Sequence, residues 1–262
     1  MFKRIVFGLL SAVMLVGCAQ NDALVRNFEV NGISFKMIYV EGGSFVMGSS
    51  EQSPGAEGDE FPAHNISLDG FYIGETEVTQ ELWMAVMGGN NPSGFTKNPS
   101  DTTLNGLMPV ESVTWFQCLE FIDSLNSLTG ATFRMPTEAE WEFAARGGNL
   151  SRGFLYSGSN NIDEVAWYGV SDKEGITHPV GQKLPNELGL YDMSGNVWEW
   201  CSDWYAPYTA EDAVNPLGPA EGRSRVIRGG CWFVDAPVCR PADRSLGSPR
   251  HSGCILGLRL AM

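Results

Sequence analysis

Apolar and polar positions recur along this chain in short stretches, and their periods predict a mixed α and β protein with long connections. Ser34 to Val40 is apolar enough for a strand, Gly42-Gly43 marks a turn, and Phe45 to Gly48 reads as its hairpin partner. Another strand is expected around Phe71–Ile73. Helical spacing follows, with Thr79 as N-cap, then Leu82, Trp83, Val86 and Met87 on one face, and a stop at Gly88-Gly89. A second helix opens on a capping box, Thr114 with Gln117, and presents Trp115, Cys118, Leu119, Ile122 and Leu125 before Gly130. Thr137 with Glu140 opens a third, which stops at Gly147-Gly148. Between the first two helices, 90–109 is polar, carries Pro92, Pro99 and Pro109, and reads as loop.

Regular structure thins out after Leu150. A large domain with few helices needs internal staples, and Trp167, Trp198, Trp200 and Trp204 are the candidates. The run from Gly189 to Trp200 mixes turn-formers with aromatics and reads as a buried turn. At the end, two β-like runs, Arg225–Ile227 and Leu256–Ala261, flank about two dozen residues without period, a surface loop of the kind that binds.

The first twenty residues change the picture. Lys3-Arg4, an apolar run from Ile5 to Val16 too short to span a bilayer, and Cys18 form a secretory signal. Leu15-Val16-Gly17-Cys18 resembles a bacterial lipobox, which implies cleavage before Cys18 and acylation of its thiol and new amine. Gln20 stands two residues after Cys18, with no Asp of the inner-membrane retention pattern, so outer-membrane display is expected. The chain then divides into a signal peptide (1–17), a tether (18–27) and one domain (28–262).

The formal net charge is −14, and loss of Lys3 and Arg4 with the signal makes it −16. Such a chain repels phosphate backbones and has no basic cluster, which excludes nucleic acid as an expected partner. Five cysteines remain once Cys18 is lipidated (118, 201, 231, 239, 254), an odd number that leaves at least one free thiol. Cys118, on a helix face, reads as a small buried hydrophobe. The sequence contains no G-x-S-x-G, P-loop, H-E-x-x-H or C-x-x-C pattern, and His64, His178 and His251 have no neighbour at metal spacing. Glu138 and Glu140 sit in a first helical turn, where the macrodipole favours acids without any catalysis.

Taken together, Gly42 to Phe45, Glu77-Val78-Thr79, Pro109 to Trp115, Arg134 to Gly148, Gly189 to Trp200, Arg225 to Trp232 and Gly257 to Leu260 resemble the formylglycine-generating enzyme and sulfatase-modifying-factor family. The resemblance runs over nearly the whole mature chain and implies one α+β domain of C-type lectin fold with much irregular structure. In the family's enzymes, Cu(I) held by two cysteines oxidises a substrate cysteine. The matching positions here are Val234 and Cys239, so one thiolate is missing, and Cys231 stands where Ser is usual. No cofactor is therefore expected to be required. A structural Ca²⁺ is implied at the Asp192 and Glu199 carboxylates with the Gly195 and Val197 carbonyls, an all-oxygen set; the alternative is that Asp192 caps its turn and Glu199 makes a buried ion pair.

The C-terminus is most similar to the variable proteins of diversity-generating retroelements, treponemal lipoproteins among them. From Phe233 to Ala261 there is no Lys, Glu, Gln, Met or Trp, although these types supply 47 of 262 residues. Chance leaves a given window of that length empty of them about 0.3% of the time, or roughly several per cent once the choice of window is allowed for. In the retroelement systems template adenines are replaced at random, and Asn codons ending in a pyrimidine can become codons for any type except these five. The resemblance then implies a variable region over about 231–255, drawn from Cys231, Phe233, Val234, Asp235, Pro237, Val238, Asp243, Ser245, Leu246, Gly247, Ser248, His251, Ser252, Gly253 and Cys254. Arg228, Trp232, Cys239, Arg240 and Arg244 are framework in this reading. Phe233, Val234, Val238 and Leu246 are expected to form an apolar patch edged by Asp235, Asp243 and His251. The expected function is a lipid-anchored surface protein that binds an unknown protein or other macromolecule through this face, without catalysis. The alternatives are a structural lipoprotein of an envelope complex and a copper-dependent oxidase.

Overall fold

A computed structural model describes residues 24–97, 102–169 and 175–262. The signal region, Cys18 and most of the expected tether lie outside the described residues, as does Pro99. The end of that tether is a strand: β1 (Val25–Val30) turns through Asn31 (φ 50°) and Gly32 (φ 84°) and pairs with β2 (Ile33–Val40). Two successive left-handed residues make the tight hairpin turn for which Asn-Gly is the common sequence.

β2 carries β1 on one edge and β5 (Phe71–Gly74) on the other. The segment expected to pair with it, β3 (Gly43–Met47), joins β4 (His64–Leu68) instead, and the short β7 (Ala213–Val214) completes that second sheet. The expected β2–β3 hairpin is thus replaced because both edges of β2 are already taken.

All three expected helices form. α1 (Gln80–Val86) is capped by the Thr79 hydroxyl, and α2 (Trp115–Thr129) has the Thr114 and Gln117 box and ends at left-handed Gly130. α3 (Glu138–Ala145) has the Thr137 and Glu140 box. On α2, Phe121 is fully buried and stacks on Trp83 at 4.8 Å, whereas Leu119 is only partly covered. α4 (Ile162–Val165) is a single turn inside the irregular stretch.

The third sheet runs in the order β10-β6-β8-β9, with β6 (Trp198–Trp204), β8 (Arg225–Arg228), β9 (Arg244–Gly247) and β10 (Leu256–Leu258). β10 lies parallel to β6, and residues 260–262 beyond it bond to Gly74, Tyr72 and Arg134, which ties this sheet to the first. Trp198 and Trp200 are buried staples, and the Trp115 and Trp200 indole N–H groups donate to the Cys201 and Val113 carbonyls. Two apolar clusters fill the space between sheets and helices, one around Trp83, Phe121 and Trp200 and one around Trp141 and Phe143. All five described cysteines are unpaired thiols, and Cys118, Cys201, Cys231 and Cys239 are buried.

Candidate functional site

The C-terminal loop starts from a floor of buried arginines. Arg228, at the end of β8, is completely buried, donates to the Ala242 and Asp243 carbonyls and pairs with Glu142. Arg244, opposite it on β9, makes a two-pronged contact with Glu138 at 2.8 and 2.7 Å. Arg240 does the same with Glu60, at 3.0 and 2.6 Å. Parallel N–H bonds to one carboxylate fix direction as well as distance, so the loop leaves and rejoins the domain at defined points. Glu60, Glu138 and Glu142 carry no periodic signal; only the density of arginines between 225 and 244 hinted that acids must meet them.

Between these anchors the chain turns at Gly229 and Gly230, both at positive φ. A side chain at Gly230 would come within 2.7 Å of the Cys239 sulfur. Cys239 is buried, and burial pushes its thiol pKa up. Burial also raises Cys231, to about 11, against the Phe233 and Val234 amides that bond to its sulfur. Trp232 is held by its own N–H to the Asn196 carbonyl and by its indole N–H to the Cys254 carbonyl, at 2.8 and 3.2 Å. Arg228, Cys239, Arg240 and Arg244, expected as framework, are thus buried, and Trp232 is held by two hydrogen bonds.

Above the floor, Phe233, Asp235, Pro237, Leu246, Ser248, His251 and Ser252 are exposed, with Phe233 at 70% and Leu246 at 48%. Ser245, Gly253 and Cys254 are half-buried. Three positions expected in the variable set are instead interior: Cys231 under its own turn, Asp243 beside Arg240, and Gly247 against Trp200. The expected apolar patch is also smaller. Phe233 and Leu246 face solvent, but Val234 and Val238 pack on the apolar core. The loop is not wholly irregular either, since residues 236–239 form a 3-10 turn and 244–247 are β9.

A family model for the sulfatase-modifying factor enzyme 1-like domain matches residues 23–262. The chain belongs to that family. Its structure is similar to that of Treponema denticola variable protein 1, with a TM-score of 0.80 and 35% identity, covering 91% of this chain and 98% of that one. The chaperone protein LppX of Paenibacillus barcinonensis is 35% identical over 88% of this chain and 89% of its own. The formylglycine-generating enzyme of Streptomyces coelicolor is 30% identical over 86% and 88%. The fold is thus that of the sulfatase-modifying-factor family, α+β with much irregular structure.

Within this sulfatase-modifying-factor domain the two metal positions of the enzymes have distinct surroundings. At the copper position Val234 offers an alkyl group, and the burial that raises the Cys239 pKa disfavours the thiolate a soft metal needs. At the calcium position, Glu199 receives the Arg259 guanidinium in a two-pronged contact and the Trp141 indole N–H at 2.6 Å. That is the buried ion pair given as the alternative, and in this arrangement Glu199 does not fit a calcium shell. Asp192 has an oxygen to spare: one accepts from the Gly181 amide at 2.7 Å, while Oδ1 is buried without a partner and burial pushes its pKa up to about 6. Among the described residues no three His, Cys, Asp or Glu side chains gather as a metal site.

The floor also makes stability depend on pH. Burial pushes both Asp203 and Asp243 up to about 7 from 3.8; Glu138 adds to the shift at Asp203, while Arg240 and Arg228 oppose it at Asp243. The folded chain therefore holds these protons longer than the unfolded one, and stability falls as pH rises from about 4 to 7. Despite burial, Glu60 is held below 4.5 by Arg240 and Ser49, and Glu142 by Arg146 and Arg228, so their contribution is lost on acidification below 4.5. The melting temperature is expected to peak at about pH 4 to 4.5. Asp203→Asn should flatten the decline toward neutral pH, and a wild-type maximum above pH 7 would contradict the assignment.

Proposed function

We propose that this protein is a lipid-anchored surface receptor whose C-terminal loops bind macromolecular ligands and carry no catalysis. One observation carries the reading: exposed residues of many types, from Phe233 to Ser252, stand on a floor of buried arginine ion pairs that leaves their identity free. Residues whose side chains meet only solvent can be exchanged at about ±0.5 kcal/mol, the condition for a diversified face. Likeness to a variable protein supports the same reading. Cys18 supplies the anchor, the bacterial outer membrane is the location, and nucleic acid is not a partner.

Two experiments test it. The coding DNA should lie near a reverse transcriptase gene and a near-copy of the C-terminal segment that differs only at adenines. Purified protein loaded with copper should leave a cysteine peptide unconverted. A missing template would favour a structural envelope role, and aldehyde formation would restore the oxidase.

A structural calcium belongs to the proposal at Asp192, with the Gly195 and Val197 carbonyls. At a hundredfold excess over Kd, calcium is expected to add about 2.7 kcal/mol, a rise in melting temperature of several degrees, reversed by chelator and absent in Asp192→Asn. Identical melts with and without chelator would remove the metal.

A further inference from the structure

A surface cavity of about 560 Å³ shares no residue with the C-terminal loop; it is lined by the start of β1, by β2 and by the turns at 149–150 and 187–188. Leu24, Ile38, Leu150 and Leu188 supply apolar wall, and the charged side chains lining it are Glu41 and Glu187. Leu24 is 50% and Leu150 60% exposed. Single exposed leucines are ordinary, but two around one apolar cavity make a surface with something to cover. Glu187 adds a polar demand: Oε1 accepts from the Arg152 amide at 2.9 Å, while Oε2 is buried without a partner.

Chain position names the occupant. Leu24 follows Cys18 by six residues, and six fully extended residues reach at most about 20 Å. An acylated Cys18 therefore keeps the mouth of this cavity within that distance of the bilayer.

We infer that this face docks on the membrane, with Leu24 and Leu150 entering the boundary between headgroups and acyl chains and the cavity accepting part of a zwitterionic phospholipid. The inference rests on the lipid anchor proposed above. Apolar side chains at an interface gain by sinking about 5–10 Å into that boundary. The headgroup class follows from charge. A mature chain at −16, with Glu41 and Glu187 at the contact, is repelled by anionic lipid but offers acceptors to an ammonium group. Docking adds a second attachment to the anchor and sets the direction in which the domain faces.

The test uses the full acylated protein on vesicles of phosphatidylcholine and phosphatidylethanolamine, compared by hydrogen exchange with the Cys18→Ser chain in solution. Amides of residues 147–152 and 186–189 are expected to exchange about tenfold more slowly on vesicles. The slowing should vanish in an acylated Leu24→Asp/Leu150→Asp variant that still binds, and should weaken as anionic lipid is added. Vesicle-bound protein exchanging at the rate of the soluble chain would overturn the docking and leave the anchor standing. Native protein found to carry no acyl groups on Cys18 and to stay off vesicles would overturn both.

Discussion

Arg228→Ala is expected to destabilise the domain by about 3–5 kcal/mol, the cost of leaving a buried ion pair without one partner. For a chain of this size that lowers the melting temperature by roughly 10 °C. The arginine is completely buried, and its removal leaves Glu142 with Arg146 and the Gly48 amide and strips the Ala242 and Asp243 carbonyls of their donor. Arg228→Lys should recover only part of the loss, because one ammonium cannot reach a carboxylate and two carbonyls as a planar fork does. Thermal or denaturant unfolding measures both. A loss below about 1 kcal/mol would mean that the arginine floor does not hold the loop.

Gly247→Asn is the second large effect, about 1–3 kcal/mol of destabilisation from overpacking. A Cβ there would lie 2.6 Å from the Trp200 ring, and Trp200 is fully buried at the centre of the core, so it has nowhere to move. Gly253→Asn is the matched control. Its nearest neighbour would be the exposed His251 ring at 3.5 Å, and the change should stay within about 0.5 kcal/mol. If both substitutions were equally mild, the boundary between floor and face drawn here would be wrong. If natural variants of the protein exist, Gly247, Cys231 and Asp243 should be constant among them while Phe233, Asp235, Leu246 and Ser248 differ.

Elements whose cause lies within a few residues were legible before any coordinates. Thr79, Thr114 and Thr137 start helices because a hydroxyl reaches an amide three residues on, and Gly130 stops one because it alone is unstrained at φ 68°. The hairpin turn at Asn31-Gly32 has an equally local cause, yet the expected first strand begins only at Ser34 and the expected tether runs across residues 25–27 of β1. Sheet partners were not legible, since the pairing of β3 with β4 depends on which edges of β2 are occupied. Nor was the inward packing of Val234 and Val238, which depends on what surrounds an aperiodic loop.

The sequence by itself determined the helix starts, the family, the absence of a thiol at Val234 and the composition bias after Trp232, since each is a matter of which residues stand at which spacing. Only the tertiary structure decided which members of the C-terminal run face water. Glu142, Glu138 and Glu60 lie 86, 106 and 180 positions from Arg228, Arg244 and Arg240, and burial is a property of that encounter. No window of sequence contains both charges, so none could separate the floor from the face.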